Sequence, residues 1–125
     1  MQNSFDVIVD KYFVNDSKRE PIYNLRLLGD LTYNSSSRLS SMLSEIINTD
    51  IKRIILNFYE LKWIDSAGVG LLISYAKKSN KENFEFVIAG WNDPVESILS
   101  LLNFNKLVKV FSTTEEGINY FKKVC

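Results

Sequence analysis

Apolar positions along the chain follow two periods. In residues 5–9, 21–28, 53–58, 84–89 and 107–111 they alternate or run unbroken, and the β-branched and aromatic content predicts strands. Elsewhere the spacing is helical: Leu39, Met42, Leu43, Ile46 and Ile47 recur at i, i+3, i+4, i+7 and i+8. Ser35, Ser36 and Ser37 ahead of that stripe supply caps and solvation. Val95, Ile98, Leu99 and Leu102 form another stripe, that of a third helix, behind Asp93-Pro94-Val95-Glu96, which reads as a cap, a proline at the first helical position and an acid at N3. Thr113-Thr114-Glu115-Glu116 opens a last helix that presents Ile118 and Phe121 to a core. The resulting order is β-β-α-β-α-β-α-β-α. It predicts an α/β fold in a single domain over 1–125: a mixed, mostly parallel sheet of about five strands with about four helices. An antiparallel hairpin, turning at residues 15–20, opens the sheet.

The most informative stretch joins the strand at 53–58 to the second helix: Ile64-Asp65-Ser66-Ala67-Gly68-Val69-Gly70. Asp65 and Ser66 are both good N-cap residues, and capping alone accounts for them. Capping leaves Gly68 and Gly70 unexplained, because glycine inside a helix costs roughly 0.5–1 kcal/mol relative to alanine. Bare backbone there lets another surface approach. A helix N-terminus also favours an added anion, so a phosphate on Ser66 costs this chain little. To a partner seated on those glycines the same group brings bulk and about −1.5 to −2 charges.

Composition narrows the function classes. Lys plus Arg and Asp plus Glu both number 15, so the formal net charge is zero and no basic excess points to nucleic acid. Hydrophobic residues at 46% and charged residues at 24% describe a globular protein. No apolar run approaches the roughly 20 residues of a membrane span, and the N-terminal residues lack a basic-then-apolar leader, so a cytoplasmic address is expected. The chain has no histidine and one cysteine, Cys125, which removes the Ser-His-Asp triad, the Cys-His pair and the ordinary zinc site. Cys125 is read as incidental.

Segment 57–70, with its strand, short connection and Asp-Ser-x-Gly-x-Gly ending, resembles the signature of the STAS domain of bacterial anti-sigma factor antagonists. The likeness extends along nearly the whole chain. Leu28-Gly29-Asp30-Leu31 resembles the turn after that family's second strand, and Phe84 to Gly90 its strand before the third helix. Pro94 to Leu99, Leu107 to Phe111 and Thr114 to Gly117 continue the order. The resemblance implies that Ser66, directly after the motif aspartate, is phosphorylated by an anti-sigma factor that is itself a serine kinase. It implies that the unphosphorylated protein binds that kinase and frees a sigma factor, and that a serine phosphatase of the PP2C type resets the switch. Asp65, Ala67, Gly68, Val69 and Gly70 would then face the partner, with Asp30 and Thr32 as neighbouring contacts. Two departures stand out: Ala67 replaces the second hydroxyl that many members carry, and Leu31 and Thr32 follow Asp30 where a second acid is common.

By this reading the protein is not an enzyme and needs no cofactor, since ATP and magnesium belong to the kinase. One alternative is a STAS subunit acting by constitutive contact, as on a lipid transporter ATPase, with Ser66 merely a cap. A small serine hydrolase using Ser66 is the remote one, because Ile64 stands where a nucleophile elbow needs glycine. Asp30, Glu60 and Asp65 as a magnesium cluster is disfavoured by their turn and cap roles. Trp63 and Trp91, just beyond strand-like runs, are expected to close the core.

Overall fold

Strand β2 (Ile22–Leu31) organises the sheet of this computed structural model, which describes residues 4–13, 21–47, 53–82, 84–90 and 92–123. On one side β2 pairs antiparallel with β1 (Phe5–Tyr12), Val7 opposite Leu27 and Val9 opposite Leu25. On the other it pairs parallel first with β3 (Arg53–Asn57), then with β4 (Leu61–Ile64). The switch occurs at Gly29, whose φ of +93° and the bulge at Gly29 and Asp30 turn the strand from one partner to the next. A Cβ there would lie 2.0 Å from the Ser4 carbonyl oxygen. Gly29 and Asp30 therefore sit inside a strand that continues to Leu31, not in a turn after it.

Beyond β3 the order continues through β5 (Glu85–Ala89) to β6 (Val110–Phe111), both parallel. Among the described residues the sheet has six strands, one more than the alternation predicts. The helices are α1 (Tyr33–Ile47), α2 (Ser66–Lys81), α3 (Asp93–Leu101) and α4 (Thr114–Lys123). Two-residue alternation splits the central strands between two cores. Ile54, Leu56, Phe86 and Ile88 join the α1 stripe, with Leu72 and Ala76 of α2 and Val95 and Leu99 of α3. Ile55, Val87 and Ala89 face the opposite side, where Phe121 of α4 seals a smaller cluster.

Several local expectations shift. Helix α1 begins at Tyr33, so the three serines lie in its first turns; the Ser35 hydroxyl accepts from the Thr32 N–H at 2.9 Å. Asn92, not Asp93, caps α3 by accepting from the Val95 N–H, which places Pro94 second in the helix. Leu102, expected on the α3 stripe, follows the helix and is half-exposed. The strand expected over 107–111 shrinks to two residues, because a short 3₁₀ turn at Phe104–Lys106 takes the Leu107 and Val108 N–H groups for the Phe104 carbonyl. The α4 capping box is as expected, with Thr113 and Glu116 exchanging backbone-to-side-chain bonds. The hairpin turn at 15–20, Trp91 and Cys125 lie outside the described residues.

Candidate functional site

Two helix N-termini meet where β2 and β4 end together. Leu31 pairs with Ile64, and the Asp65 N–H continues the ladder to the Leu31 carbonyl at 3.1 Å. Chain direction then changes on both strands at once, into α1 and into α2. Asp65 is the N-cap of α2, and its Oδ1 accepts from the Gly68 N–H at 3.0 Å. Its Oδ2 accepts from the N–H of Tyr33, the first residue of α1, also at 3.0 Å. One carboxylate thus satisfies orphan donors of two helices and sits at the positive end of both dipoles. The Gly68 N–H, against the opposing effect of desolvation and with help from the Tyr33 and Ala67 N–H groups, holds the Asp65 carboxyl below the usual carboxylate range.

Because Asp65 does the capping, Ser66 does not. It is the first residue of α2 and exposed, and its hydroxyl is bonded to nothing among the described residues. Ala67 beside it is half-buried. The two glycines separate in role. A Cβ at Gly68 would meet the Leu31 carbonyl oxygen at 2.6 Å and Ile64 Cγ1 at 2.8 Å, so its bare backbone serves the close crossing of α2 over its own strands. Val69 is likewise buried in the core. Gly70 is exposed with nothing within 4 Å of a Cβ, and only there does the missing side chain lack an internal cause.

The β2 end comes to the same place. Asp30 pairs with Trp63, and its carbonyl accepts from the Ser35 hydroxyl at 2.7 Å; Asp30 and Thr32 are both half-buried. Sequence reasoning missed Tyr33, which is 78% exposed beside Asp65. The signal was present, since an aromatic outside its helix's apolar stripe has no core to fill. Trp63 was assigned to core closure, but it is 50% exposed, and the buried positions of β4 are Leu61 and Ile64 at its two ends. An open cleft of about 810 Å³ adjoins Asp30, and its rim mixes Arg38 and Lys62 with Asp6 and Glu60. Among the described residues no group of three or more His, Cys, Asp or Glu side chains is placed to hold a metal ion. No helix among them is long and apolar enough to cross a membrane.

Residues 14–117 match the STAS domain family, and that span holds every strand end and helix terminus described above except those of β1 and the end of α4. The chain belongs to the STAS domain family. It is similar to the anti-sigma F factor antagonist of Paenibacillus polymyxa, 25% identical over 101 residues that cover 80% of this chain and 86% of that one. It is similar also to the anti-sigma-B factor antagonist of Staphylococcus aureus, 22% identical over 102 residues covering 82% and 94%. Among solved structures, the unphosphorylated anti-sigma factor antagonist SpoIIAA superposes with a TM-score of 0.73 at 19% identity, covering 98% of this chain and 99% of that one. The phosphorylated form of SpoIIAA, from Bacillus, gives 0.66 at 19% identity over 91% and 99%. The STAS fold is therefore common to this chain and to a protein solved in both phosphorylation states.

Proposed function

We propose that this STAS domain is an anti-sigma factor antagonist, a non-enzymatic binding module switched by phosphorylation of Ser66. The observation that carries the reading is the division of labour between Asp65 and Ser66. The aspartate caps α2, so capping gives no reason for the serine, and its free, exposed hydroxyl stands at a helix end where an anion is welcome. Unphosphorylated, the face formed by Ser66, Ala67 and Gly70, with Asp30, Thr32 and Tyr33 beside it, binds an anti-sigma factor serine kinase and releases a sigma factor. Asp65, Gly68 and Val69 shape that face from within. Phosphorylation adds about −1.5 to −2 charges at its centre and ends the complex, and a PP2C-type serine phosphatase restores it. The names of the relatives and the fold shared with SpoIIAA support the assignment.

The test is the affinity of two variants for the kinase, identified as the protein that co-purifies with Ser66→Ala. Ser66→Ala is expected to fold and bind constitutively, and Ser66→Asp to bind at least tenfold more weakly, on the order of the 1.4 kcal/mol that a tenfold change represents. Equal affinity of the two for the same partner refutes the switch and leaves constitutive contact as the function.

A further inference from the structure

Asp65 holds two elements that are far apart in sequence, and the site of modification is its immediate neighbour. Its two hydrogen bonds differ in kind. The bond from Gly68 is local, made within the turn that the carboxylate caps. The bond from Tyr33 crosses from another helix, and it reaches the one backbone donor of α1 that this carboxylate serves. The rest of the α1 start is secured separately: the Thr32 N–H donates to the Ser35 hydroxyl, which itself donates to the Asp30 carbonyl. Loss of the Tyr33 bond therefore frees the first residue of α1 without unravelling the helix.

A phosphoryl group on Ser66 places a second anion beside a carboxylate that is already ionised. Like charges at such separation repel, and the phosphate oxygens compete for the same free N–H donors. The carboxylate keeps its short-range cap more easily than its inter-helix bond, since the former lies in its own turn. We infer that Asp65 is a positioning residue that couples Ser66 to α1: phosphorylation weakens the Tyr33 N–H to Asp65 bond and displaces the exposed Tyr33 ring. Partner release then has an internal component, a change of shape at Tyr33, in addition to bulk and charge at Ser66. The inference rests on Ser66 being the phosphoacceptor, but its test does not need the kinase.

Phosphoserine is installed at position 66 during synthesis of the full chain, and amide hydrogen exchange at Tyr33 and Gly68 is followed by NMR in the modified and unmodified proteins. The Tyr33 amide is expected to exchange about tenfold faster with the phosphate present, the scale of one lost bond to a charged acceptor, while Gly68 changes less. In an Asp65→Asn chain the same phosphate is expected to leave the Tyr33 rate nearly unchanged, because the charged link is already gone. Equal Tyr33 exchange with and without phosphate overturns the inference, and so does an equal acceleration in Asp65→Asn. If Asp65→Asn does not fold, the comparison in the unaltered chain decides alone. Absence of any kinase for Ser66 in cells would sink the proposed function and with it any use of this coupling in cells, whereas unchanged Tyr33 exchange would sink the coupling alone.

Discussion

A methyl group added at Gly68 has nowhere to go, since Leu31 and Ile64 already stand inside contact distance of where it would be. Gly68→Ala is expected to destabilise the fold by about 1–3 kcal/mol, the usual cost of overpacking. Gly70→Ala is expected to do the reverse, gaining about 0.5–1 kcal/mol through helix propensity at an open position. Urea unfolding of the two variants checks both signs. If Gly70 meets the partner, its alanine variant also binds the kinase more weakly while being more stable. Spacing showed both glycines, yet it could not separate them, because the crossing of α2 over Leu31 is a long-range contact. The same holds for Asp65, whose role as a cap was legible and whose bond to Tyr33 was not. Its folded-state pKa lies below the ordinary value, so it contributes stability above the unfolded pKa of about 3.9 that is lost as pH falls through the folded value. The stability gap between wild type and Asp65→Asn is therefore expected to be widest near neutrality and to narrow below about pH 4, as acid unfolding followed by circular dichroism would show.

At the level of elements, what the chain's pattern revealed were the stretches whose partners are local. The α1 stripe, the α4 capping box and the β1–β2 pairing were all readable, because periodicity and caps act within a few residues. Strand β4 escaped notice: it has four residues, follows β3 after only Phe58, Tyr59 and Glu60, and is defined by its pairing with the end of β2 rather than by a pattern of its own. Asn92 holds that short connection in place. Its side-chain N–H group donates to the Phe58 and Leu61 carbonyls at 2.7 and 2.6 Å while its oxygen caps α3. Asn92→Ala is expected to cost about 1–3 kcal/mol, as a lost cap plus two lost side-chain bonds to carbonyls, and thermal melts would register it. Because β4 leads directly into Asp65, the same variant is expected to weaken partner binding as well.

Across the whole molecule, the sheet carries α4 and the smaller core on one face and the larger core, with the proposed switch, on the other. Phe121 of α4 is 2% exposed and closes the smaller core against Ile22, Ile55 and Val87, while α1 and α2 lie on the opposite face. Phe121→Ala is expected to cost about 3–5 kcal/mol and, in whatever fraction stays folded, to leave affinity for the kinase unchanged; a coupled loss of affinity would mean that the partner also touches α4. From a formal net charge of zero, a phosphoryl group takes the molecule to about −1.5 to −2. In the proposed switch Ser66 carries this group. Mass spectrometry of the protein isolated from its native cells, before and after phosphatase treatment, maps it directly. A phosphate on Ser66 that phosphatase removes is expected; Ser66 unmodified across growth and stress conditions would overturn the assignment.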